Sequence, residues 1–294
     1  MKILVTGGKG QLGTDCVRVF RETHDVLSID LDEVDITRRA DLEDLVHKFT
    51  PDIIINCAAY TQVDNCEVER KLAWDVNVTG TENLVKCMEK QGERIIHIST
   101  DYVFDGRKKI PEPYVETDEP NPVSYYGKTK YESEKVVQRA SGRHVIVRPA
   151  WMYGVNGHNF LKTMLSLALK NPEGEIRVVN DQYGSPTWSY ALALQIERII
   201  HVDTGGIYHA TGEGFCTWFE LAQYFLNKMQ VSNNIIPCTS EEYPTRAQRP
   251  KNSILGNRHL KEKGINIMSQ WRDDIDAFVS GFGEELLAEI EKGK

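Results

Sequence analysis

Lys2-Ile3-Leu4-Val5-Thr6-Gly7-Gly8-Lys9-Gly10-Gln11-Leu12-Gly13 is a short apolar strand that runs into a glycine-rich turn. Leu12 to Arg21 then carries helical periodicity with no breaker, so the segment predicts strand, tight turn, helix. Glycine lets a backbone turn sharply and approach a ligand closely, and the helix that follows offers free N–H groups and a positive dipole end. The spacing is G-x-x-G-x-x-G, and no Gly-Lys-Ser/Thr closes it as in a phosphate-binding P-loop. A dinucleotide pyrophosphate is the expected ligand.

The same alternation continues outward. Val26–Asp30, Asp52–Asn56, Arg94–Ser99 and His144–Arg148 read as buried strands. Thr37–Lys48 (capped by Thr37), Leu72–Lys90 and Tyr125–Arg139 read as the helices between them. Strands apolar throughout and separated by helices predict an α/β fold, a Rossmann-type doubly wound parallel sheet covered on both faces. After Arg148 the rhythm loosens. Helices are expected at Phe160–Leu169, Tyr190–Ile200, Trp218–Met229 and Ile275–Lys292, with short strands near Ile176–Val179 and Ile207–Tyr208 and a polar stretch from Pro237 to Ser253. The division is a dinucleotide-binding domain over 1–150 and a smaller mixed substrate-binding lobe over 151–294, some later segments returning to the first domain.

Composition excludes several classes. Lys+Arg 35 against Asp+Glu 43 gives a net charge of -8, spread along the chain, so the concentrated basic face that nucleic acid needs is missing. No apolar run reaches the roughly 20 residues of a membrane span, and a cytoplasmic location is the expectation. The six cysteines contain no Cys-x-x-Cys pair and read as buried thiols. Asn77-Val78-Thr79 is a sequon with no secretory context, the histidines include no His-Glu-x-x-His, and no Gly-x-Ser-x-Gly elbow occurs. Asp15, Glu284, Glu285 and Glu289 read as solvated surface acids.

Asp30 ends the second strand, 17 residues after Gly13, where a carboxylate accepts hydrogen bonds from ribose hydroxyls and favours NADH over NADPH. Lys9, Arg38 or Arg39 would offset that preference. Asp35 and Ile36 are placed to meet the adenine, and Cys57-Ala58-Ala59 to line the cofactor with small side chains. A nicotinamide reaction also needs a proton carrier. Tyr-x-x-x-Lys occurs three times, at Tyr126/Lys130, Tyr131/Lys135 and Tyr224/Lys228. Tyr224/Lys228 lies in the less regular lobe and Tyr131 about 140° around the helix from Tyr126, whereas Tyr126 follows the strand that delivers Ser99-Thr100-Asp101 to the sheet edge. A free tyrosine titrates near 10, so Lys130 is expected to bring Tyr126 into a usable range, with Thr100 orienting a carbonyl.

With the glycine turn, Thr100 and Tyr126-x-x-x-Lys130, the chain resembles the extended short-chain dehydrogenase/reductase family. The likeness spans nearly the whole length, through Gly10-Gln11-Leu12-Gly13, Asn56-Cys57-Ala58-Ala59-Tyr60-Thr61-x-Val63-Asp64, Ser99-Thr100-Asp101-Tyr102-Val103-Phe104-x-Gly106, Tyr126-Gly127-Lys128-Thr129-Lys130 and Asp181-Gln182-x-Gly184-x-Pro186-Thr187. It implies catalytic Thr100, Tyr126 and Lys130. It implies NADPH or NADH held by Gly7, Gly10, Gln11, Leu12, Gly13, Asp30, Asp35, Ile36, Ala58, Ala59, Tyr60, Tyr126 and Lys130, with Asn77 supporting the catalytic helix beside the cofactor. It further implies a dTDP-linked 4-keto-6-deoxy sugar met by Thr100, Asp101, Tyr102, Trp151 and Arg249, its C4 ketone reduced to give dTDP-L-rhamnose. Relatives that hold Mg²⁺ between subunits leave Mg²⁺ and a homodimer open. Related dehydratases carry Thr-Asp-Glu at this strand end; Tyr102 in the third place removes the second carboxylate that elimination needs. An epimerase, a reductase of another nucleotide sugar and a catalytically silent nucleotide-binding regulatory subunit are the alternatives.

Overall fold

The computed structural model describes residues 1–89, 94–140, 144–202, 205–232 and 234–292. Six parallel strands form the main sheet: β1 Lys2–Thr6, β2 Asp25–Ile29, β3 Ile53–Asn56, β4 Arg94–Ile98, β5 His144–Arg148 and β6 Gly206–His209, in the order β6-β5-β4-β3-β1-β2. Ile53, Ile54, Ile55 and the inner residues of β1, β4 and β5 are buried on both faces, which is why these strands carry no alternation. One face is covered by α1 Gln11–Phe20, the other by α2 Arg39–Phe49, α3 Gly80–Glu89 and α4 Tyr125–Gln138. The strand order reverses between β1 and β3, and open α/β sheets bind ligands at that point, outside the strands' carboxyl ends.

The second lobe has its own core. Helices α5 Phe160–Lys170, α7 Trp218–Lys228 and α8 Trp271–Lys292 close on Tyr153, Phe225, Trp271 and Phe278. The expected strand near Ile176 is Glu175–Val179, and it pairs in parallel with Asn234–Cys238. Between α5 and α7 the chain returns to the first domain: α6 Ser189–Ile200 packs on α1, and β6 extends the sheet beside β5.

Three local expectations change. Thr37 does not cap α2, which starts at Arg39 without a side-chain cap; the Thr37 N–H is taken instead by Asp35 Oδ1 at 2.9 Å. The helix expected over Leu72–Lys90 is interrupted: Arg70–Trp74 passes through a π-helical turn at Asp75–Thr79 before α3, and Lys90 lies outside the described residues. Asp15 is not a solvated acid. It is buried on α1 and accepts a hydrogen bond from the Ser189 hydroxyl at 2.5 Å. Glu284, Glu285 and Glu289 are exposed. All six cysteines are free; five are buried and Cys57 is half-buried.

Candidate active site

The carboxyl ends of β1, β3, β4 and β5 open into one cavity of about 600 Å³, closed on the far side by the second lobe. At the β1 end, Gly7 takes φ +65°, and a Cβ there would fall 2.7 Å from the Ala58 backbone nitrogen, so only glycine lets the turn lie against the β3 loop. Gly10 is the N-cap of α1 and supplies no side-chain cap, leaving the first N–H groups of the helix directed at the cavity wall that Gly10, Gln11, Leu12 and Gly13 form. These features fit a pyrophosphate.

Asp30 stands beside this turn: its Oδ2 accepts from the Lys9 N–H at 2.8 Å and its Oδ1 from the Leu31 N–H at 2.8 Å. The three nearby cations are each engaged locally, Lys9 with Asp32 and Glu33, Arg38 with Asp41 and Arg39 with Glu43. Ala59 lines the cavity, whereas Asp30, Asp35, Ile36, Ala58, Tyr60 and Asn77 are not part of its lining. Ile36 is buried against Gly80, and the Tyr60 hydroxyl donates to Glu69.

The loop after β4 and the first turns of α4 bring the reactive groups together. Ser124 caps α4 by accepting from the Gly127 N–H, and the Tyr125 N–H is taken by Glu67 Oε1 at 2.7 Å. Asn77, in the π-helical turn, donates to Thr129 Oγ1 at 2.9 Å while its Oδ1 accepts from the Tyr60 N–H at 2.7 Å, fixing α4 to the β3 loop. Tyr126 and Lys130 are buried, and with Thr100 both line the cavity. The other two Tyr-x-x-x-Lys pairs do different work. Lys135 lies 4.2 Å over the Tyr131 ring, and Lys228 pairs with Asp276, which also accepts from the Tyr224 hydroxyl.

Electrostatics separate the members of the site. Burial lowers Lys130 to about 8, with Glu134 and Cys57 opposing that shift. Burial pushes the Tyr126 phenol up, Asp101 adds to the rise, and a hydrogen bond with Thr100 opposes it. The resting phenol is therefore held protonated, and the expected lowering by Lys130 is not what dominates. Beneath Lys130, His97 is held neutral, well below the usual imidazole range, by burial and by the ammonium. Ser133 Oγ donates to the Lys130 carbonyl, so it must accept from His97 Nε2–H at 2.9 Å, and His97 Nδ1 accepts from Asn56 Nδ2 at 3.1 Å. His97 Nε2 also lies 3.5 Å from Lys130 Nζ, and in that tautomer it offers the ammonium no lone pair. Asp101, pushed up to about 6 by burial, accepts from Thr100 Oγ1 at 3.0 Å.

Residues 1–283 match the family described as the RmlD substrate binding domain. The chain belongs to this family. Two curated relatives are similar over almost their whole length: dTDP-4-dehydrorhamnose reductase of Aggregatibacter actinomycetemcomitans, 40% identical over 92% of this chain and 96% of the relative, and the spore coat polysaccharide biosynthesis protein SpsK of Bacillus subtilis, 35% identical over 95% and 96%. Among solved structures, dTDP-4-dehydrorhamnose reductase from Bacillus anthracis in complex with NADP superposes with a TM-score of 0.92, at 37% identity over 95% of this chain and 99% of that one.

In this member of the family the wall of the cavity that the second lobe forms is aromatic and cationic. Trp151, in a left-handed conformation at φ +45°, stacks on Trp218 with ring centroids 3.5 Å apart and planes 8° from parallel. Both line the cavity, so Trp151 is half-buried wall and not closed core. Arg249 bonds to both Asp64 oxygens, at 2.7 and 3.3 Å, and to the Tyr102 hydroxyl, joining the second lobe to the β3 and β4 loops. A smaller hollow of about 270 Å³ adjoins, sharing Phe160, Trp218 and Arg249 with the main cavity. Nothing in the sequence marks Trp218, His97 or the role of Asp64, because each acts through a partner distant in sequence. The tandem of glycine turn and Ser99-Thr100-Asp101 was the signal that did exist.

Proposed function

We infer that this chain is an NAD(P)H-dependent oxidoreductase that reduces the C4 ketone of dTDP-4-dehydro-L-rhamnose to dTDP-L-rhamnose. The observation that carries the reading is the convergence of Tyr126, Lys130 and Thr100 on the same cavity as the uncapped glycine end of α1. The cofactor, held at that end by Gly7, Gly10, Gln11, Leu12 and Gly13, supplies the hydride.

The protein's own groups manage the oxygen. Thr100 turns its hydroxyl hydrogen from Asp101 Oδ1 to the ketone oxygen and so fixes its orientation. Tyr126, protonated at neutral pH, gives its proton to the C4 oxygen as the alcohol forms. Lys130 stabilises the phenolate left behind, and its ammonium donates to ribose hydroxyls. The apolar faces of Trp151 and Trp218 suit a 6-deoxy sugar, and their polar edges suit its hydroxyls. Arg249 and the adjoining hollow receive the nucleotide, the guanidinium facing its diphosphate.

Loss of nicotinamide absorbance with the keto-sugar nucleotide, run in parallel with NADH and NADPH and followed by product analysis, tests this reading. Oxidation with a 4-hydroxy product is expected. An altered sugar without cofactor oxidation would mark an epimerase, and no turnover with tight binding to another enzyme would mark a regulator.

A further inference from the structure

Opposite the cavity, at the far end of α1, His24 sits in the turn leading to β2, its N–H bonded to the Phe20 carbonyl at 2.9 Å and its ring stacked on the Phe20 ring. The end of α6 lies against it. His201 is the C-cap of α6, its ring centroid 6.2 Å from that of His24, and Glu197 is one turn earlier with Oε1 3.1 Å from His201 Nε2. One donor atom from each of His24, Glu197 and His201 lies within 4.8 Å of the others. Both ring nitrogens of His24 are shielded from water and have no hydrogen-bond partner among the described residues. A buried polar atom left unmade costs about 1–3 kcal/mol, and an imidazole with both nitrogens unpaired asks for a ligand.

We propose that His24, Glu197 and His201 form a site for a zinc-class divalent cation. Two imidazole nitrogens and one carboxylate oxygen are the donors that zinc, cobalt and nickel prefer, whereas Mg²⁺ and Ca²⁺ take oxygen. Ligands about 2.0–2.2 Å from a tetrahedral ion stand about 3.4 Å from one another. The three donor atoms already lie within 4.8 Å of one another. The His201 side chain is 54% exposed, which leaves an entry path and a fourth position for water. None of the three residues lines the reductase cavity. The ion would therefore brace the far end of the helix whose other end carries the glycine turn, tying it to α6.

The test uses untagged, chelator-treated full-length protein titrated with Co²⁺, then Zn²⁺. One equivalent of Co²⁺ per chain should give the visible absorption of a tetrahedral site, Zn²⁺ should displace it, and Zn²⁺ should raise the melting midpoint. His201→Gln, at an exposed position, should fold and keep reductase activity while binding Co²⁺ at least about tenfold more weakly, a loss of about 1.4 kcal/mol. His24→Gln should lose the same signal. Absence of a saturable Co²⁺ spectrum in the wild type, or an undiminished one in His201→Gln, would overturn the proposal.

Discussion

Lys130 is 1% exposed, and a lysine so placed carries its charge only conditionally. Its lowered value of about 8 means the ammonium predominates below that pH and is lost as pH rises through it. We expect kcat/KM, which reports the free enzyme, to fall above about pH 8, and Lys130→Arg to move that limb to higher pH; a flat profile to pH 9.5 would contradict the assignment. Tyr126→Phe should keep cofactor affinity, read by fluorescence titration, and lose about a hundred- to ten-thousand-fold in turnover. At this scale Thr100, Tyr126 and Lys130 were legible because chain order alone puts them at a strand end and the helix after it. The protonated state of Tyr126 was not legible, since it follows from burial and from Asp101, both products of packing.

Among the elements, α4 and the β4 loop are pressed together without room for a side chain. A Cβ on Gly127 would lie 2.1 Å from the Tyr102 carbonyl oxygen. Gly127→Ala should therefore destabilise the protein by about 1–3 kcal/mol and lower kcat as Thr100 and Tyr126 separate, as urea unfolding and steady-state kinetics would reveal. Asn77→Ala leaves the Tyr60 N–H without its partner and should cost a similar amount, about 1–3 kcal/mol, with Thr129→Val milder because, of the two bonds it removes, the one from Asn77 leaves that amide its Tyr60 carbonyl and the one to the Tyr126 carbonyl leaves that oxygen in the helix ladder. The continuous apolar strands announced the parallel sheet before any coordinates. The π-helical turn at Asp75–Thr79 left no such trace, because its register is set by Asn77 reaching Tyr60 and Thr129. The strand Asn234–Cys238 was hidden by Pro237, which lacks the N–H that a strand interior would ordinarily supply.

Across the whole molecule two cores meet over one cavity, and Arg249 spans the seam. Arg249→Ala removes the cation at the substrate side along with its bonds to Asp64 and Tyr102. Steady-state kinetics should show KM for the sugar nucleotide rising about tenfold or more, with a smaller change in kcat and unchanged cofactor affinity. Beyond residue 150, α6 and β6 return to the first core because their apolar faces complete the sheet's uncovered side and edge. In the proposed reaction hydride passes directly to the sugar's C4 and Tyr126 donates the proton. Reduction of dTDP-4-dehydro-L-rhamnose with nicotinamide deuterated at its transferable position should place one deuterium at C4 of dTDP-L-rhamnose, seen by mass spectrometry and NMR. A product with no deuterium, or with deuterium at another carbon, would contradict it.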